Sequence, residues 1–87
     1  MKATVTISNR LGLHARPAMC FVEVASRFNS RILVRRDDQE VDGKSIMQMM
    51  MLAATHGTRL EILAEGDDAD SAVAELVDLV KRGFDEE

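Results

Sequence analysis

Apolar and polar residues alternate at the start of the chain, where Ala3, Val5 and Ile7 interleave with Thr4, Thr6 and Ser8. A period of two places one set on each face of a half-buried strand. The period then changes. Between Ala15 and Phe28 the apolar positions Ala18, Phe21, Val22, Ala25 and Phe28 fall at helical spacing and predict an amphipathic helix. Arg31 to Arg36 returns to strand, with Ile32 and Val34 on one face, and Asp37-Asp38-Gln39-Glu40 is a polar turn into a short strand near Val41. Ser45 has the chemistry of an N-cap for a second helix, Ile46 to about Thr55, with Gly57 as its stop and His56 beside the C-terminal carbonyls. Leu60, Ile62 and Ala64 make another alternating strand. Asp67 then caps a third helix reaching about Arg82, with Asp70 in its first turn and Lys81 and Arg82 at its negative pole. Ala69, Ala72, Val73, Leu76, Leu79 and Val80 form its apolar stripe.

The predicted order is βαββαβα. Alternating strands and single-striped helices pack as two layers, an α+β sandwich with helices on one sheet face. The other face, carrying Lys2, Thr4, Thr6, Arg31, Arg35, Arg59 and Glu61, is expected to be wet. Eighty-seven residues suit one domain, 1–87, with a core that holds without staples.

Charge and composition narrow the function classes. The net charge of −4 argues against a general nucleic-acid binder, and a chain with no Trp or Tyr and three Phe lacks stacking platforms. The single cysteine, Cys20, excludes an internal disulfide framework and agrees with a reducing, cytoplasmic location. Within the first helix Cys20 reads as packing. No apolar run approaches a membrane span, and the N-terminus has no signal-peptide pattern. His14, Cys20 and His56 lack the spacing of a zinc site, and neither a metal nor a cofactor is expected.

The chemistry concentrates in Gly12-Leu13-His14-Ala15-Arg16-Pro17-Ala18. Pro17 lacks an N–H and belongs in the first helical turn, where donors are unpaired, so it marks a helix start. That places His14 against the free N–H groups and positive dipole end of the helix, with the permanent charge of Arg16 beside it. Taken alone, a histidine at a helix start is most often a polar cap or surface residue, and a lone arginine a solvated charge.

The chain resembles the HPr family, the histidine phosphocarriers of the bacterial phosphotransferase system, over essentially its whole length. Residues Gly12 to Ala18 are similar to that family's phosphorylation-site motif. Asp42-Gly43-Lys44-Ser45-Ile46-Met47 is similar to its second signature, and His56-Gly57-Thr58 also fits in place. The ending Gly83-Phe84-Asp85-Glu86-Glu87, with Leu52-Ala53-Ala54 before it, looks more like the nitrogen-related NPr branch than the sugar branch.

The resemblance implies a four-stranded antiparallel sheet covered by three helices. It also implies a role as carrier: a phosphoryl group from phosphoenolpyruvate arrives by way of enzyme I, rests on Nδ1 of His14 and passes to an enzyme IIA protein. The helix N-terminus and Arg16 favour the neutral, nucleophilic ring and meet the charge of the product. Each ~1.4 kcal/mol of stabilisation shifts the transfer equilibrium tenfold, so an open cradle suits a carrier better than a closed pocket.

Two further features stand beside the motif. Ser45 is most simply an N-cap. In some relatives the matching serine is phosphorylated by a dedicated ATP-dependent kinase (HPr kinase/phosphorylase), which weakens acceptance from enzyme I. Met47, Met49, Met50 and Met51 cluster on the second helix. Met49, Leu52 and Ala53 are expected in the core, whereas Met47 and Met50 fall on a more exposed face. The family's docking face matches Ala15, Met19, Ile46, Met47 and Met50, and flexible thioethers suit a surface that meets several partners. The expected molecule is a cytoplasmic monomer with enzyme I and enzyme IIA as partners, and not a standalone enzyme. Two alternatives stand: a non-carrier interaction protein acting through Ser45 and the methionine face, and a small-molecule regulatory module.

Overall fold

A computed structural model describes residues 1–86 of the chain. The strands are β1 (Lys2–Thr6), β2 (Arg31–Arg36), β3 (Gln39–Asp42) and β4 (Arg59–Glu65). The helices are α1 (Ala15–Ala25), α2 (Ile46–Met51) and α3 (Ala69–Lys81), followed by a 3-10 turn at Gly83–Asp85. The sheet is antiparallel throughout, in the order β1-β4-β2-β3.

The register matches like with like. Val5 lies opposite Leu60, Val34 opposite both Ile62 and Val41, and Ile32 opposite Ala64, and all of these are buried. The same pairing brings Arg35 beside Glu61 and Glu40 on the wet face, where it donates to Glu40 at 2.9 Å and Glu61 at 3.3 Å. A one-residue slip would exchange these faces, so the core sets the register. Phe21 of α1, Met49 of α2, and Leu76 and Val80 of α3 complete the core. Leu33 and Leu63, opposite each other on the wet face, are only partly covered.

Three helix ends differ from the sequence reading. α1 stops at Ala25 rather than Phe28. Its last turn tightens, with Arg27 N–H donating to Val24 and Phe28 N–H to Ala25, so the apolar spacing outlasts the α-helix. α2 stops at Met51, four residues short of Thr55. Ala53 turns left-handed (φ 50°) and is exposed, not core. The terminal carbonyls are taken by side chains from the sheet: Gln39 donates to Met51, and Arg36 to Leu52 and Ala53. Gly57 therefore belongs to the following turn, where its N–H donates to Ile7, and exposed His56 makes no hydrogen bond to the helix end among the described residues. α3 begins at Ala69, and its N-cap is Asp68 rather than Asp67. The Asp68 carboxylate does not cap the helix. It accepts from Asn29 N–H at 2.8 Å, Ser30 N–H at 2.9 Å and the Ser30 hydroxyl, tying the end of the α1–β2 loop to α3.

Candidate functional site

The site is built on the loop from Asn9 to Leu13. Gly12 N–H donates to the Asn9 carbonyl at 3.2 Å, and Asn9 Nδ2 returns a bond to the Gly12 carbonyl at 2.7 Å. Gly12 adopts φ +73°, and a Cβ there would lie 2.5 Å from the Ala54 carbonyl oxygen. Only glycine suits both demands. The Leu13 N–H reaches that same carbonyl at 2.8 Å and its side chain is buried, so the residue before the histidine is pinned to the core.

His14 is the N-cap of α1, with extended backbone (φ −83°, ψ −169°). Its carbonyl accepts the first helical bond, from Ala18 N–H at 3.0 Å, but its side chain caps nothing. The ring is free for other work, and its side chain is 38 % exposed. Pro17 is buried in the first turn, as its missing N–H requires. Among the described residues, nothing accepts from the amides of Ala15 or Arg16. Two donors and the positive end of an eleven-residue helix therefore face outward beside the ring. Arg16 is exposed and has no ion pair among the described residues.

One neighbour was not singled out from sequence. The His14 Nε2 lies 3.0 Å from Oε2 and 3.2 Å from Oε1 of Glu86, 72 residues away. Glu86 Oε1 also accepts from Asn9 Nδ2 at 2.9 Å. Asn9 is buried, and its two donated bonds fix its amide orientation. Burial raises the Glu86 carboxyl. The bonds from Asn9 and His14, with the charges of His14 and Arg16, outweigh it and hold the group below the usual carboxylate range. No residue-spacing rule could have found Glu86. Its place depends on the turn after α3, where Gly83, Phe84 and Asp85 all have positive φ and buried Phe84 anchors the tail. Glu87, the last residue of the ending compared with the NPr branch, lies outside the described residues.

Some of the other candidate residues come together beside α1. Ala15, Arg16, Met19 and Ile46 line one cleft between α1 and α2, together with half-buried Cys20. Met19 is 55 % exposed, Ile46 40 %, Met50 44 % and Met47 78 %, whereas Met49 is fully buried. The methionine cluster thus divides into core and surface members, with exposed Met51 joining the surface set. Leu11, also exposed, extends the apolar surface on the loop side. Ser45 is the N-cap of α2, and its hydroxyl oxygen accepts from Gln48 N–H at 3.2 Å. Among the described residues no cluster of His, Cys, Asp and Glu could hold a metal ion, and no helix is long and apolar enough to cross a membrane.

Comparison with known proteins shows the family. The family model described as the HPr component phosphorylation site of the phosphotransferase system matches residues 1–82. The phosphocarrier protein HPr of Pseudomonas aeruginosa is 51 % identical over 83 residues, covering 94 % of this chain and 92 % of its own. The phosphocarrier protein NPr of Escherichia coli K12 is 38 % identical over 88 residues, covering 100 % and 98 %. The crystal structure of HPr from Thermoanaerobacter tengcongensis superposes with a TM-score of 0.96 at 46 % identity, covering 100 % of this chain and 98 % of that one. Relatives of both names match, and the family consists of phosphocarriers rather than standalone catalysts. With its full length and its fold accounted for, the chain belongs to the HPr family of phosphocarrier proteins of the phosphotransferase system.

Proposed function

We propose that His14 is the residue that carries the phosphoryl group, receiving it from phosphorylated enzyme I and passing it to an enzyme IIA-type acceptor. The observation that carries this reading is a partly exposed imidazole at the N-cap of α1, unused as a cap and beside two unpartnered amides. In the transfer the Nδ1 lone pair forms a bond to phosphorus. The donor's bond to phosphorus breaks, and its electron pair leaves with the donor. The Ala15 and Arg16 amides and the Arg16 guanidinium supply hydrogen bonds and positive charge to the group once it arrives. Pro17 fixes the helix start. With solvent on one side, the group leaves by the reverse chemistry.

The cleft lined by Ala15, Met19 and Ile46, with Met47 and Met50 beside it, is the docking face for both partners. It is shallow and apolar, which suits a protein surface better than a metabolite. Ser45 borders the same face. A phosphate added there by a kinase places two negative charges on the surface that enzyme I must cover. The molecule works as a one-domain cytoplasmic monomer of the nitrogen-related branch.

The test is incubation with cognate enzyme I and labelled phosphoenolpyruvate. The expected result is acid-labile label on the wild-type chain and none on His14→Ala. No label with cognate enzyme I, or label that survives His14→Ala, contradicts the reading. The Ser45 element is tested separately, by mass spectrometry after incubation with a cognate kinase. A phosphate present in Ser45→Ala as in wild type removes that site.

A further inference from the structure

We infer that Glu86 is a positioning residue for His14, binding the ring at Nε2 so that Nδ1 is the nitrogen left to react. This rests on the carrier reading for its consequence but not for its geometry.

A neutral imidazole carries one proton on either nitrogen, and its partner decides which. A carboxylate accepts and does not donate, so a ring whose Nε2 lies 3.0 Å from Glu86 Oε2 holds its proton there. The lone pair is then on Nδ1. Both Glu86 oxygens lie within reach of Nε2, which restrains rotation of the ring as well as its tautomer. The same arrangement supports the loaded state, because the charge that develops on a ring bonded to phosphorus through Nδ1 is met at Nε2 by a carboxylate.

The carboxylate is itself held. Asn9 Nδ2 bridges Glu86 Oε1 and the Gly12 carbonyl, so one buried amide ties the tail to the loop that presents His14. Phe84, buried two residues earlier, fixes the direction from which Glu86 approaches. A surface ion pair with a free side chain would have neither restraint, and would contribute little. At 21 % exposure Glu86 is more enclosed than the ring it binds.

The experiment reads the tautomer directly, by long-range nitrogen–proton NMR correlation of the His14 ring, at a pH where the ring is neutral. It compares wild type, Glu86→Ala and Glu86→Gln. No partner protein is needed for this arm, and amide spectra of the three chains report whether the fold is intact. Wild type is expected to show one Nε2–H form and Glu86→Ala a mixture. Glu86→Gln, which keeps an acceptor oxygen, should recover most of the wild-type form. The second arm measures the rate of phosphorylation by enzyme I. Glu86→Ala is expected to be slower by about three- to tenfold, the loss of roughly one hydrogen bond's worth of orientation. An Nδ1–H form in wild type, or a tautomer unchanged in Glu86→Ala, overturns the proposal. An altered tautomer with an unaltered rate overturns the role in transfer. If wild type takes no phosphoryl group at all, the carrier reading fails, while the NMR arm still decides how Glu86 and His14 are related.

Discussion

Gly12 carries more of the site than its lack of a side chain suggests. At φ +73° any L-residue costs about 1–2 kcal/mol before contacts are considered. A Cβ there also meets the carbonyl that receives the Leu13 N–H. Gly12→Ala is therefore expected to destabilise the chain by at least that amount in urea unfolding and to slow phosphorylation further, because the loop that presents His14 must move. A variant with unchanged stability would show that the loop adapts freely. The helix start at Pro17 and the place of His14 just before it were legible in the sequence because proline at a helix start constrains its neighbours locally. Glu86 and Asn9 were not, since their roles arise from a tail folding back across 72 residues of chain.

At the scale of elements, α2 combines a buried and an open side in six residues. Periodicity separated Met49 from Met47 and Met50 correctly, because 3.6 residues per turn fixes which side chains share a face. It overran the helix end because the stop is not local. Arg36 and Gln39 reach from β2 and β3 to take the terminal carbonyls, and Ala53 turns left-handed without a glycine to announce it. The Asp68 cap was misplaced for a related reason, as its carboxylate serves the backbone of Asn29 and Ser30 instead of its own helix. Truncating both Met47 and Met50 to Ala removes exposed side chains, so stability should change by no more than about 0.5 kcal/mol per site. Phosphoryl exchange with enzyme I should fall by about tenfold if these are anchors of the docking face. Unchanged exchange kinetics would place the docking face elsewhere.

Across the whole molecule, the alternation of the strands predicted two layers but left the strand order open, and the structure gives it as β1-β4-β2-β3. That order joins residues far apart in the chain, and Asp68 is one such join. The hydrogen bond from the Ser30 hydroxyl, then that from the Asn29 amide, outweigh burial and hold its carboxyl below the usual range. Its folded value is depressed, so its contribution is fully present above the unfolded carboxylate pKa of about 3.9 and is lost as the pH falls through the lower folded value. Asp68→Asn should be less stable than wild type at neutral pH, with the gap narrowing below about pH 4. Denaturant unfolding of both chains across that range checks it, and a gap independent of pH would remove the carboxylate from the account.

The central claim is that Nδ1 of His14 carries the phosphoryl group, and nitrogen-resolved NMR of the chain phosphorylated by enzyme I tests it most directly. The account predicts a bond from phosphorus to Nδ1, with the proton retained on Nε2 facing Glu86. Phosphorus on Nε2, or on any other residue, would contradict it.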